Sequence, residues 1–254
     1  MNGFFYNLGR IAGHKAVPAI RKSKLIWDGL TGDEEQAFRA EVALGTEMAS
    51  ELRGAVEIIG DLPTTQALGD ICQRLGARAR DKRRTFRCVV FRDPSPNAIT
   101  LPGGFLFFSD ALLELCRRSP DQLAFVAGHE MAHVLLGHTW DRMINEAALR
   151  VASAATARIG QIGGWLRQQG MALLRRAHDA ELELNADELG FRLAVAAGFN
   201  PAGAFAFLQR IQRLCADPSA LGQYLGSHPA AAERSARLER ILRQISQPGP
   251  VQQK

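Results

Sequence analysis

The stretch that decides the reading is VAGHEMAHVLLGH, Val126–His138. Its alanines, valines and leucines predict a helix. Residues four apart on a helix share a face, so His129 and His133 can each aim a ring nitrogen at one ion, about 2.0–2.1 Å away for zinc. Glu130 then stands beside that ion. This is the H-E-x-x-H arrangement, in which two imidazoles bind zinc and the glutamate takes a proton from the activated water. The rival reading is a core helix whose histidines are merely hydrogen-bonded, with Glu130 on the surface. Against it, Val126, Val134, Leu135 and Leu136 already supply packing, and burying His and Glu costs free energy.

A third ligand separates the two readings. The extended motif with a third histidine needs Gly and His where this chain has Leu136 and Thr139. His138 comes one residue early and, on a continuous helix turning about 100° per residue, faces away from His129. The better candidate lies in ELELNADELG, where Glu183 and Asp187 are one helical turn apart. Glu183 can complete a two-histidine, one-glutamate set with an open fourth position. Asp187 can accept the second N–H of a ligand histidine and fix its tautomer. Alone, this pair reads more readily as a solvated acidic face.

Outward from these motifs, the chain is predominantly helical. A helix starts after an N-cap at Thr31 or Asp33 and carries Phe38, Val42, Met48, Leu52, Val56 and Ile59; a second follows Pro63. TFRCVVFR and ITLPGGFLFFS read as short strands, the latter split by Pro102-Gly103-Gly104. From Asp110 helices dominate again. The expected fold class is α+β, one domain, with a small sheet immediately before the histidine helix. Residues 1–32 form a basic, aromatic extension, 33–246 the domain, and 247–254 a disordered tail.

Composition bounds the function. The 254 residues carry a formal charge of +5 and are 46% hydrophobic, enough for a sizeable core. Only RARDKRR, Arg78–Arg84, is a dense basic cluster, and no aromatic residues interleave with it, so nucleic-acid binding is not expected. Cys72, Cys88, Cys116 and Cys215 are far apart and form no C-x-x-C pair, which fits four separate thiols in a reducing compartment. The N-terminus does not read as a secretory signal. Ala147–Leu174 is broken by Arg150, Arg158 and Arg167, too often for a membrane span. The expected location is therefore the cytoplasm, with Phe4, Phe5, Tyr6 and Trp27 offering peripheral contact with an anionic membrane surface. Nothing in the sequence indicates the oligomeric state.

Four stretches occur in an order that resembles a family of gluzincin zinc metallopeptidases, the one containing the CAAX prenyl endopeptidases and the HtpX-like, BepA-like and Oma-like proteases. They are NAITLPGG (Asn97–Gly104), HEMAH (His129–His133), ELNAD (Glu183–Asp187) and SHPAAAERSARL (Ser227–Leu238). The resemblance covers roughly residues 33 to 245. It implies a zincin-like domain holding one zinc ion on His129, His133 and Glu183, with Glu130 as catalytic acid and base. It implies that GGFLFFS, including Gly103, Gly104, Phe105, Leu106 and Phe107, runs along the cleft, where an extended peptide adds to a sheet edge through main-chain hydrogen bonds. It also places His228 where some relatives carry a histidine that approaches the site, to stabilise an oxyanion or cap the zinc; a surface histidine at a helix start is the equal alternative. Asn185 stands where many relatives have an acidic residue, and the transmembrane helices of the membrane-embedded members are missing.

The implied function is a zinc-dependent endopeptidase acting on protein substrates, in protein quality control. Two alternatives stay open: a latent or chaperone-like zinc protein whose cleft is blocked by Ala147–Leu174, and a purely structural zinc site.

Overall fold

The computed structural model describes residues 32–60, 62–153, 180–214 and 231–246. Expectations for residues 1–31, for most of Ala147–Leu174, for Cys215, for His228 and for the tail lie outside them. Eleven elements run through the described residues: α1 (Glu34–Arg53), α2 (Leu62–Gly76), β1 (Arg87–Phe91), β2 (Ala98–Leu101), β3 (Phe105–Ser109), α3 (Asp110–Leu115), α4 (Pro120–Leu135), α5 (His138–Ser153), α6 (Ala180–Ala196), α7 (Ala202–Leu214) and α8 (Ala231–Ser246).

Local signals set the ends of these elements. Asp33 caps α1 by accepting from Gln36 N at 2.8 Å, while the Gln36 side chain accepts from Asp33 N at 3.1 Å. The helix stops at Arg53, earlier than the periodicity through Ile59 suggests. Ile58 instead bridges to Phe91, and Ile59 N donates to Val90 O at 2.9 Å. Pro120 opens α4 at the position where a missing N–H costs least.

The sheet order is β1-β3-β2, with β1 parallel and β2 antiparallel to β3. Successive side chains on a strand point to opposite faces, and both faces here are covered. Leu106 and Phe108 enter a core with α2, α4, α6, α7 and α8, while Phe105 and Phe107 enter a second core with Leu44, Met48, Leu52, Trp140 and Met143. Double coverage explains why β3 reads as an unbroken apolar run.

That topology corrects the expectation for the substrate strand. Phe105, Leu106 and Phe107 lie on the central strand, hydrogen-bonded on both sides, and Gly103 and Gly104 form the turn before it. A peptide has no edge to pair with there. The edges of the sheet are β1 and β2.

A second correction concerns the cysteines. Cys72 on α2 and Cys88 on β1 form a disulfide, so the expectation of four separate thiols fails. The two residues are 16 apart in sequence, and only the packing of α2 against the sheet brings them together. Cys116 is free and buried, and burial pushes its thiol up to about 12.

Helices α4 and α6 cross closely at Gly128 and Gly190. A Cβ on Gly190 would fall 2.5 Å from His129 N, and one on Gly128 would fall 2.7 Å from Gly190 O. Only hydrogen at both positions permits this backbone approach. The crossing sets the first turns of α6, with Glu183 and Asp187, against the histidines of α4.

Candidate metal centre

Every residue of α4 from Gln122 to Val134 is buried, so the helix runs through the core rather than over it. Among these apolar neighbours His129, Glu130 and His133 are also buried, and Glu183 and Asp187 on α6 are completely so. This excludes the rival picture with Glu130 on the surface. Burying so many ionisable groups is costly unless each is paired or holds an ion.

The geometry suits an ion. The Nε2 atoms of His129 and His133 are 3.1 Å apart, and each is 3.3 Å from an oxygen of Glu183. Ligands around a tetrahedral zinc at about 2.0–2.1 Å stand about 3.3 Å from one another. Among the described residues these three form a group that could hold a metal ion. Electrostatics agrees with geometry. Burial alone would lower the His129 imidazole, but its bonds to Asp187 and Glu183 outweigh that and push it up to about 10. At His133 burial prevails over its bond to Glu183, and that imidazole is lowered.

The second ring nitrogen of each histidine has its own partner, and the two partners differ. His129 Nδ1 lies 2.9 Å from Asp187 Oδ1, as expected for an aspartate one turn after the ligand glutamate. Behind Asp187 stands Arg234 of α8, whose Nε and Nη2 donate to the two carboxylate oxygens at 2.6 and 2.7 Å. Burial would raise the Asp187 carboxyl, and the Arg234 guanidinium outweighs it and holds the group well below the usual carboxylate range. His133 Nδ1 instead lies 3.0 Å from His138 Nδ1. Burial and then the neighbouring His133 hold the His138 imidazole down to about 4.

The position of His138 overturns the helical-wheel expectation. Leu136 ends α4, Gly137 adopts φ +78°, and a new helix begins at His138. The 100° progression is broken at that glycine, and the chain folds His138 back against the site. Gly just past the end of an apolar helix was the signal for this break.

Two further residues escaped the sequence reading. Arg234 lies within SHPAAAERSARL, on the stripe it shares with Leu238 and Ile241, and all three are buried. An arginine at i with leucine at i+4 and isoleucine at i+7 marks a charge on a buried face, which requires a buried partner. Thr100 of β2 donates its hydroxyl to Glu130 Oε2. No local signal in the strand identifies that contact, which depends on β2 lying against α4.

Of the residues expected in the site, His129, Glu130, His133, Glu183 and Asp187 come together. Gly103, Gly104, Phe105, Leu106 and Phe107 form the turn and central strand instead, and His228 falls outside the described residues.

The family model of peptidase family M48 matches residues 63–242. Among similar proteins, the mitochondrial metalloendopeptidase OMA1 of Schizosaccharomyces pombe is 28% identical over 184 residues, covering 71% of this chain and 53% of that protein. The beta-barrel assembly-enhancing protease of Escherichia coli K12 is 25% identical over 225 residues, covering 82% of this chain and 45% of that protein. The chain thus matches about half the length of these relatives. The match runs from α2 through the histidine helix and the Glu183 helix to α8, the elements that build the cluster, and the chain belongs to peptidase family M48.

Proposed function

We propose that this chain is a zinc endopeptidase that hydrolyses peptide bonds in protein substrates. The observation that carries the reading is the cluster of His129, His133 and Glu183 at tetrahedral spacing, with Glu130 in the adjacent helical position. These residues would hold one zinc ion. Zinc bound there supplies a Lewis acid for the scissile carbonyl and lowers the pKa of water towards about 7. Glu130 takes the proton from the attacking water and returns it to the leaving amine, so one carboxylate serves as base and then as acid. Thr100 holds that carboxylate through its hydroxyl.

The substrate lies along β2. Of the two edge strands it is the one that touches Glu130, through Thr100, and its main-chain groups can pair with an extended peptide of almost any sequence. Ile99 and Leu101 are buried in the second core, whereas Thr100, on the other face of the strand, is only partly covered and meets Glu130. The catalytic unit spans 33–246, a reading supported by the way α1 closes one face of the sheet.

Among the described residues no helix is long and apolar enough to cross a membrane. For the compartment, the Cys72–Cys88 disulfide favours an oxidising one over the cytoplasm expected from sequence, because cytosolic thiols are kept reduced. Similarity to the beta-barrel assembly-enhancing protease of E. coli supports a role in protein quality control.

Stripping the purified chain with a chelator and restoring zinc tests the activity. Casein hydrolysis should vanish on stripping and return with about one equivalent of zinc; hydrolysis that survives stripping would sink the reading.

A further inference from the structure

We propose that His138 is a positioning residue for metal binding: it accepts the Nδ1–H of His133 and so fixes the ring whose Nε2 faces the cluster. The proposal rests on the reading of His129, His133 and Glu183 as the metal-holding set.

His133 Nε2 points to His129 Nε2 at 3.1 Å and to Glu183 Oε1 at 3.3 Å. A neutral imidazole that gives its Nε2 lone pair to a cation carries its proton on Nδ1. That Nδ1 lies 3.0 Å from His138 Nδ1, with the two ring centroids 5.1 Å apart and the planes at 65°. His138 Nδ1 must then be the acceptor, with its own proton on Nε2. Such a partner fixes the ring of a ligand histidine and raises its basicity.

The backbone is shaped for this contact. Gly137 at φ +78° ends α4, and Asp141 N donates to Gly137 O at 2.8 Å as α5 begins. Without that reversal, His138 would lie on the opposite face of a continued helix. His133 lies in the last turn of α4, and its Nδ1 faces His138, whereas the Nδ1 of His129 faces Asp187 of α6.

The test is zinc affinity of the full chain, read by competition with a chromophoric chelator, which needs no turnover. His138→Phe keeps a ring and removes the acceptor, whereas His138→Asn places Oδ1 where Nδ1 stood. Affinity should fall about tenfold to hundredfold in His138→Phe, and His138→Asn should recover most of it. Should Phe fail to fit, His138→Ala carries the same comparison. Wild-type affinity in the variant without an acceptor overturns the proposal, as does an Asn variant as weak as Phe, which would point to His138 as a direct ligand. A wild-type chain that binds no zinc, or binds it as well after His129→Ala, would instead sink the metal site itself.

Discussion

The two histidines of the H-E-x-x-H helix sit one turn apart and face the same point, yet they are supported by different means. His129 is backed by a fully buried carboxylate, itself clamped by a buried arginine from α8. His133 is backed by another histidine, from the start of the next helix. The first support is ionic and spans α4, α6 and α8. The second includes a hydrogen bond made across a glycine turn. The difference teaches that a four-residue spacing specifies where two ligands point but not how firmly each is held. The helices that pass over each position decide that.

Removing the arginine is the harshest way to break the comparison. Arg234→Met leaves Asp187 charged and buried without its guanidinium, and loss of one partner from a buried ion pair costs about 3–5 kcal/mol. Urea unfolding of the metal-free chain should show it. A loss well under 1 kcal/mol would mean that α8 is not the anchor of the His129 side. Next comes the crossing itself. Gly190→Ala puts a methyl 2.5 Å from His129 N, so α6 must shift. The expected cost is about 1–3 kcal/mol, with weaker zinc binding because Glu183 and Asp187 move together. Unchanged zinc affinity would show the crossing to be more tolerant than its geometry implies.

How much of this was readable beforehand follows from the range of each interaction. His129, Glu130 and His133 are related by the helix period, and so are Glu183 and Asp187, so sequence alone relates the members of each set. The turn at Pro102-Gly103-Gly104 and the Asp33 cap were likewise local and legible. The contacts that join Arg234 to Asp187, Thr100 to Glu130 and Cys72 to Cys88 span separate elements, and nothing in the local pattern encodes them. The order of the sheet is of this kind too. An apolar strand after a Gly-Gly turn can be central or an edge, and only its neighbours show that β3 is central.

Smaller effects sharpen the His133 side. Gly137→Ala forces a side chain into a left-handed conformation, at about 1–2 kcal/mol, and should loosen His138 more than Asp187. Zinc titration of Gly137→Ala beside His138→Asn would show whether the turn acts through that histidine; full zinc affinity in the Ala variant would argue that it does not. Thr100→Val keeps the shape of β2 and removes the hydroxyl from Glu130. Turnover should drop about tenfold, the scale of one hydrogen bond to a charged group, with zinc content unchanged and with recovery in Thr100→Ser. A Val variant as fast as wild type would remove Thr100 from the catalytic arrangement.

The most direct test of the central claim is zinc content and casein hydrolysis measured side by side for the wild type and Glu130→Gln. About one zinc per chain is expected in both, with cleavage by the wild type alone. A Glu130→Gln chain that still cleaves would contradict the assignment of Glu130, and zinc in both with cleavage by neither would contradict the peptidase reading in favour of a zinc protein that binds chains without cutting them.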